Sequence, residues 1–97
     1  MVLWNLIQSF KDPRAESLLN RRRVVELVNI EDQARTRLIR LHTATSLSDL
    51  GALRGNNLEA LKGDRVGQYS IRINDQYRIC FRWDEKGPHD VEIVDYH

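Results

Sequence analysis

The segment VEIVDYH, at the end of this 97-residue chain, carries three side chains that can move protons. Asp95, Tyr96 and His97 supply a carboxylate, a phenol and an imidazole, which are groups that enzymes use as general acids and bases. His97 titrates near neutral pH and could act as an imidazolium. The alternative interpretation is a polar tail that follows a strand. A catalytic role requires that other elements bring a substrate-binding surface to this segment.

The preceding part of the chain could supply such a surface, because it is basic. Residues 61–83 carry five basic groups against two acids, a net charge of +3, whereas residues 84–97 carry a net charge of −4. The five basic residues are Lys62, Arg65, Arg72, Arg78 and Arg82. The whole chain has a net charge of only +1, which argues against a general nucleic-acid binder. The distribution of charge, more than its total, decides what a surface attracts.

Arginines near an acid, a phenol and an imidazole suit RNA cleavage by transesterification. That reaction needs a base for the ribose 2′-OH, an acid for the leaving 5′-oxygen, and cations for the phosphorane-like transition state. Arginine matches phosphate oxygens at two points, and protein cations in this role remove the need for a metal. Glu59, close in sequence to Lys62 and Arg65, is either a general base or an inert surface carboxylate. Outward arginines on a two-stranded ribbon are common, so an ordinary polar surface stays open from this pattern alone.

Helices and strands must position these groups, and the first half of the chain predicts mainly helices. Trp4–Phe10 reads as a short strand, and Asp12 followed by Pro13 marks the start of a first helix. NRRRV follows as a basic stretch at or past its end, either solvated or in contact with RNA. Asn29 opens a second helix, TSLSDL predicts a further helical turn, and GALRGNN predicts a loop. The second helix has a mostly apolar stripe at Ile30, Ala34, Leu38, Leu41 and Thr45.

From Leu58 onward the apolar residues alternate with polar ones, which predicts antiparallel strands. Two strands flank NDQ, a tight hairpin turn whose Asn and Asp tolerate left-handed geometry, and DEKGPHD makes a wider turn into a last strand, Val91–Asp95. The predicted fold class is α+β, with an N-terminal strand and two helices packed on a small antiparallel sheet. The face of this sheet that points away from the helices would carry Arg72, Arg78 and Arg82.

The length predicts one domain over residues 1–97. No apolar run is long enough to span a bilayer, and the N-terminus lacks the basic region and cleavage site of a signal peptide. The lone Cys80 excludes an internal disulfide, and no Cys/His cluster has metal-binding spacing, so a reducing cytoplasm and no cofactor are expected.

Several segments taken together resemble the HigB-type toxins of the RelE/ParE superfamily. They are IQSF, RLIRLHTATSLSDL, LKGDRVGQYSIRINDQYRICF and the terminal DYH, and they extend from about Leu6 to His97. NNLEALKGDR and VEIVDYH are most similar to the GraT branch. Residues 1–5 precede the usual family start, so Leu6 is a candidate for the native first residue.

This resemblance implies a RelE-like microbial RNase fold and a ribosome-dependent endonuclease that cuts mRNA in the ribosomal A site. It places catalytic roles on Asp95, Tyr96, His97 and Arg78, and RNA or ribosome binding on Lys62 and Arg65, beside Arg72 and Arg82. Many members carry a histidine at the position of Glu59, and the GraT-like branch shares the glutamate. The resemblance implies a HigA-like helix-turn-helix antitoxin as partner, with operator DNA bound only through that antitoxin. A gyrase inhibitor of the ParE type and a toxin that has lost activity are the alternatives.

The residues leave several roles open. Arg78 is the candidate transition-state cation, or else the cross-strand partner of Glu92. Tyr96 could stack on a base, donate its hydroxyl or pack against Trp83. Asp95 could orient His97 or pair with Arg78.

Overall fold

The fold is α+β, as the sequence predicts, and the computed structural model describes residues 6–96. Met1–Asn5 and His97 lie outside the described residues, so the interpretations of the N-terminal extension and of the final imidazole are not addressed by the fold. The helices are α1 (Pro13–Leu19), α2 (Glu31–Thr43) and α3 (Leu47–Ala52), with a 3₁₀ helix at Val25–Ile30. The strands are β1 (Glu59–Ala60), β2 (Tyr69–Arg72), β3 (Tyr77–Asp84) and β4 (Gly87–Asp95), and a short 3₁₀ turn, Gly63–Arg65, lies between β1 and β2.

The four strands form one antiparallel sheet in the order β1-β2-β3-β4. The face toward the helices is apolar, and Ile71, Ile79, Phe81 and Ile93 from the sheet are buried in one core with Leu18, Leu38 and Leu41. Phe81 is fully buried, and its ring stacks on Tyr69 and meets Trp83 edge-on. The opposite face, called the outer face below, is free to carry polar residues.

The first helix begins where the sequence predicts. The Asp12 carboxylate accepts a hydrogen bond from the backbone N–H of Arg14 at 2.9 Å, and Pro13 occupies the first helical position. The same carboxylate accepts from the backbone N–H of Ile93 at 3.3 Å. The cap of α1 therefore also ties this helix to β4.

The predicted N-terminal strand is wrong over the described residues 6–10, and Trp4 lies outside them. Only Phe10 forms a bridge, in parallel, with Val91. Gln8 donates its backbone N–H to the Pro88 carbonyl at 2.8 Å and Val91 donates to the Ser9 carbonyl at 3.2 Å, but the N–H of Asp90, between them, donates to the Ser9 hydroxyl instead of a backbone carbonyl. Asp90 has a φ of 55°, which bends β4 away from regular pairing. This interruption at Asp90 leaves an irregular segment along the edge of β4.

The prediction that Asn29 opens the second helix is also wrong, because α2 begins at Glu31 after the 3₁₀ helix. The buried residues here, Val24, Leu27 and Ile30, are three positions apart, which matches the three residues per turn of a 3₁₀ helix. The apolar stripe on α2 itself is confirmed for Ala34, Leu38 and Leu41, which are all buried. Thr45 does not belong to it, since that residue is exposed beyond the end of α2.

The turns show a further difference. The Asn74–Gln76 turn is confirmed, but its residues have no positive φ; the Asn74 carboxamide instead accepts from the backbone N–H groups of Gln76 and Tyr77. The turn into β4 is tighter than predicted, because Asp84 pairs with Gly87 and the strand begins there. TSLSDL forms α3, capped by Ser46, and this helix includes Gly51 and Ala52 from the predicted loop. No helix among residues 6–96 is long and apolar enough to cross a membrane.

Candidate active site on the outer face of the sheet

The strand register places four polar side chains in one row across the outer face. Glu59 pairs with Ser70, Ser70 with Cys80, and Cys80 with Glu92. Directly opposite residues of antiparallel strands share a face, so this row runs from β1 to β4. Ser70 and Cys80 are fully buried although they face away from the core. Other side chains must therefore cover this row.

Arg78 is one of the side chains that cover the row. Its Nε donates to the Ser70 hydroxyl at 2.7 Å, and its Nη2 donates to the Asn57 carbonyl at 2.5 Å and to the Ser70 carbonyl at 3.3 Å. The guanidinium thus extends across β2 toward the chain that leads into β1, where Glu59 lies. No hydrogen bond formed among residues 6–96 uses Nη1 of Arg78. A half-buried guanidinium held on one side, with one nitrogen left over, is suited to an anionic ligand.

The predicted alternative, a cross-strand pair between Arg78 and Glu92, is wrong. The register sets Arg78 opposite Arg72 and Val94, while Glu92 lies opposite Cys80. Glu92 instead accepts from Arg65 at 3.1 Å and lies 3.5 Å from the ammonium of Lys11.

Arg65 is held against the sheet by two acceptors, Glu92 on β4 and Gln68 in the loop before β2. Besides its bond to Glu92, its Nη1 donates to the Gln68 side chain at 3.1 Å. The hydrogen bond that Arg65 donates to the Glu92 carboxylate is the main cause that raises the pKa of Arg65, although burial opposes it. The 3₁₀ turn of KGDR therefore places a fixed cation over the β3–β4 part of the row.

Tyr96 completes the cover of Cys80. Burial raises the pKa of the Tyr96 phenol, and its contact and hydrogen bond with Cys80 raise it further, while Arg65 and Arg78 act in the opposite direction. Burial likewise raises the pKa of the Cys80 thiol. At neutral pH Tyr96 therefore keeps its proton, close to two guanidinium groups. Trp83, the alternative packing partner of Tyr96, forms its ring contact with Phe81.

Asp95 does not share this position. It pairs with Tyr77 at the end of β4, and its Oδ2 accepts from the Gln76 side chain at 3.0 Å. Because side chains alternate along a strand, Asp95 and Tyr96 leave the sheet on opposite sides. Tyr96 is itself held by a backbone bond to the Gln76 carbonyl at 2.7 Å.

The remaining predicted residues lie around this centre. Glu59 and Lys62 are exposed, and no ion pair among residues 6–96 includes either of them. Arg72 forms an ion pair with Asp75, and the Arg82 Nε lies 3.7 Å from the Asp90 carboxylate. Beside Arg65, a cleft of about 320 Å³ is lined by Lys11, Gln68, Arg82, Asp90 and Glu92. No group of three or more His, Cys, Asp or Glu residues within 6–96 is placed to hold a metal ion.

The geometry of the site includes residues that the sequence interpretation did not assign to it. Ser70 anchors Arg78, Cys80 supports Tyr96, and Glu92 fixes Arg65. Strict alternation along β2 and β3 would have placed Ser70 and Cys80 beside Arg78. The bond between Glu92 and Arg65 has no such signal, since it joins residues 27 apart and depends on how β4 pairs with β3.

The fold and site define a class of small α+β protein, with a helical layer on one face of an antiparallel sheet and clustered arginines on the other. A comparison with family models matches residues 6–97 to the family described as the RelE-like toxin of type II toxin-antitoxin system HigB. That match extends over most of the chain, and the protein therefore belongs to this family of HigB-like toxins.

One curated relative agrees with this assignment. The chain is 42% identical over 55 residues to Toxin HigB-1 of Vibrio cholerae serotype O1. The aligned part makes up 57% of this chain and 58% of that relative.

Proposed function

We propose that this protein is the toxin of a type II toxin–antitoxin pair and that it cleaves mRNA in the ribosomal A site, which inhibits translation and growth. The observation that carries the proposal is the cluster of Arg78, Arg65 and Tyr96 on the outer face. It combines two fixed cations with a protonated phenol within electrostatic reach of both. Membership of the HigB-like family supports the assignment of a toxin.

The proposed reaction is attack of a ribose 2′-oxygen on the adjacent phosphorus. The new bond is P–O2′ and the broken bond is P–O5′, so the products are a 2′,3′-cyclic phosphate and a 5′-hydroxyl. One proton leaves the 2′-OH and one is delivered to O5′. Arg78, through its unused Nη1, would hold the non-bridging oxygens as negative charge develops there, and Arg65 would add a second cation.

The proton transfers fall to the acid–base groups around these cations. Tyr96 can donate a proton to O5′ because its raised pKa keeps it protonated. His97 is the other candidate donor, and Asp95 would orient that imidazole. Glu59 is the candidate base for the 2′-OH, since its strand partner Ser70 carries the Arg78 guanidinium.

The surrounding residues would bind the RNA and the ribosome. Lys62, Arg72 and Arg82 lie at the borders of the outer face and suit phosphate contacts. The proposed partners are the ribosome with mRNA and a HigA-like helix-turn-helix antitoxin, through which operator DNA would be bound. Because all of these partners are found in the cytoplasm, the protein is expected to act there.

The first test is growth inhibition on induced expression. Arg78→Ala and a deletion of His97 should each abolish toxicity while the protein stays folded by circular dichroism, and Lys86→Ala, which removes an exposed charge in the turn before β4, should stay toxic. Full toxicity of both the Arg78 and the His97 variants would contradict the assignment.

The second test uses purified protein. It should cut mRNA only when ribosomes are present, because the ribosome is proposed to complete the site. Strong cleavage of naked RNA would contradict ribosome dependence. Inhibition of DNA supercoiling by gyrase, with intact mRNA, would replace the proposal by the ParE-type alternative.

A further inference from the structure

A second group of arginines surrounds the segment Arg54–Asn57, which connects α3 to β1. Arg40 of α2 donates from Nη1 to the Arg54 carbonyl and to the Asn56 carboxamide oxygen, both at 3.1 Å. Asn56 is fully buried and donates in turn to the Leu50 carbonyl at 2.9 Å. The segment is therefore a fixed platform, with a guanidinium bonded to it from the helix side.

Arg37 approaches the same platform one turn earlier on α2. Its Nε donates to the Arg72 carbonyl at 3.0 Å, and its Nη2 lies 3.2 Å from the position that a Cβ on Gly55 would take. Burial lowers the pKa of Arg37, and the positive charges of Arg40 and Arg72 lower it further. The guanidinium of Arg37 thus lies within electrostatic reach of the guanidinium groups of Arg40 and Arg72.

This arginine cluster, defined as Arg37, Arg40 and Arg72, has almost no compensating negative charge. Within residues 6–96, Arg37 and Arg40 form hydrogen bonds only with neutral oxygens and take part in no ion pair. Asp75 is the carboxylate bonded to Arg72, and its side chain is 96% exposed. An exposed i,i+3 pair of this kind is weak and easily exchanged for another anion.

The hydrogen bonds to the platform do not account for the whole cluster. A guanidinium has five N–H donors, and Arg37 uses one nitrogen and Arg40 one nitrogen among the bonds of the described residues. If these arginines only held the loop in place, hydrogen bonds to neutral oxygens would be enough. Three positive charges close together instead raise the energy of the free protein. That cost is recovered when an anion binds.

The cluster is continuous with the candidate active site. The backbone N–H of Arg72 donates to the Asn56 carbonyl at 2.6 Å, and Arg78 donates to the next carbonyl, that of Asn57. Arg72 and Arg78 are also directly opposite each other in the β2–β3 register. A chain of phosphates held at Arg78 would therefore meet the arginine cluster next, on the side of α2.

We propose that Arg37, Arg40 and Arg72 form a second phosphate-binding site, which holds an RNA backbone beyond the nucleotide that Arg78 contacts. This inference rests on the proposed function, since it takes RNA as the ligand of the neighbouring site. RNA is favoured over an acidic protein segment because the cluster continues the row of cations that begins at Arg78. Its role is affinity and positioning, so its loss weakens RNA binding without removing the acid–base groups.

The direct test measures binding of a fluorescein-labelled 2′-O-methyl RNA of about 12 nucleotides, which cannot be cleaved by 2′-OH attack. The double variant Arg37→Gln/Arg40→Gln should bind about tenfold more weakly or worse. The slope of the logarithm of the binding constant against the logarithm of the salt concentration should become shallower by about 1.4, because each lost contact to single-stranded RNA accounts for about 0.7. Arg22→Gln/Arg23→Gln removes the same charge from the exposed turn after α1 and should change affinity much less. Equal losses in both double variants would overturn the proposal.

A variant that should tighten RNA binding, instead of weakening it, keeps the test independent of folding defects. Asp75→Asn removes the exposed carboxylate of the cluster and should tighten RNA binding by about two- to fivefold, the weight of one exposed ion pair. Asp32→Asn is the matched control, because Asp32 has a fully exposed side chain in another i,i+3 pair, with Arg35. An Asp75→Asn variant that binds no more tightly than Asp32→Asn would overturn the proposal, even if the arginine variants do not fold.

Parallel measurements separate this inference from the proposed function. Binding to ribosomes with and without mRNA distinguishes an mRNA phosphate from a ribosomal RNA phosphate, and a loss in either arm supports the site. If the wild type cleaves ribosome-bound mRNA but the cluster variants bind all RNA normally, only this inference fails. If the wild type does not cleave, the proposed function fails whatever the binding shows. A loss of antitoxin binding alone would assign the cluster to a protein partner and overturn the RNA site.

Discussion

Glu92→Ala is expected to lower mRNA cleavage although Glu92 contacts no proposed reacting atom. Glu92 is only 16% exposed and joins the ammonium of Lys11, at 3.5 Å, to the guanidinium of Arg65, at 3.1 Å. Without this carboxylate Arg65 keeps only its bond to Gln68 and gains freedom to leave the row of outer-face residues. Misplacement of a cation by about 1 Å can cost up to about 100-fold in rate, and we expect a loss of about tenfold, since one anchor remains.

The same substitution has a small effect on stability that can be estimated from exposure. The Lys11 side chain is 62% exposed, so its ion pair contributes little, while the Arg65 pair is more protected, at 32%. Together they correspond to about 1 kcal/mol of unfolding free energy, which is within reach of urea denaturation. The expected result is therefore a folded protein with a specific loss of cleavage.

The assay is single-turnover cleavage of mRNA on programmed ribosomes, with Asp90→Asn as the control, because asparagine tolerates the φ of 55° at this position. Asp90 lies on the same strand and pairs with Arg82 at 3.7 Å, but it does not touch Arg65. The Asp90 variant should cleave within about threefold of wild type, because an exposed pair at that distance is weak. Wild-type cleavage by Glu92→Ala, or an equal loss in both variants, would refute the positioning of Arg65 by Glu92.

Three further outcomes follow from the structure. Asp12→Ala should cost about 1–2 kcal/mol of unfolding free energy, because it removes the α1 cap and the tie to β4. Burial raises the pKa of Asp12, but hydrogen bonds from Arg14 and Ile93 lower this pKa overall. In urea titrations the stabilisation by Asp12 should therefore be present above the ordinary pKa of 3.8 and disappear as the pH falls through the lowered pKa. Tyr96→Phe should reduce cleavage by about 100-fold if measured on ribosomes, while the urea midpoint stays near that of wild type, and unchanged cleavage would exclude its hydroxyl as the acid. The Cys80 thiol, fully buried and with a pKa raised by burial, should resist alkylation in the native protein and react on unfolding; rapid native labelling would contradict its placement beneath Tyr96.

The parts of the fold that follow from local sequence were predictable. Asp12 and Pro13 specify a helix start by their own chemistry, and the alternation through β2 and β3 specifies which side chains face outward. The apolar triplet Val24, Leu27 and Ile30 also carried a signal, since its spacing of three is that of a 3₁₀ helix. The longer α-helical stripe that follows shares Ile30 with this triplet, so the two patterns overlap in the sequence.

The parts that depend on pairing between distant segments were not predictable. The irregular N-terminal segment results from the interruption of pairing at Asp90, which lies about 80 positions away on β4. The partner of Glu92 changed from Arg78 to Arg65 because register, which the sequence pattern leaves open, decides which side chains meet. The roles of Asp95 and Glu59 stay predictions for a different reason, because their chemistry depends on the RNA that they would meet.

The chemical ends of the mRNA fragments test the proposed site most directly. Ribosomes programmed with mRNA should yield, on addition of the protein, fragments with a 2′,3′-cyclic phosphate on one side and a 5′-hydroxyl on the other. An mRNA with a 2′-deoxy nucleotide at the cleaved position should stay intact, and Arg78→Ala should give no fragments with the normal mRNA. Fragments that carry a 5′-phosphate, or cleavage of the 2′-deoxy mRNA, would contradict 2′-OH transesterification on the outer face of this sheet.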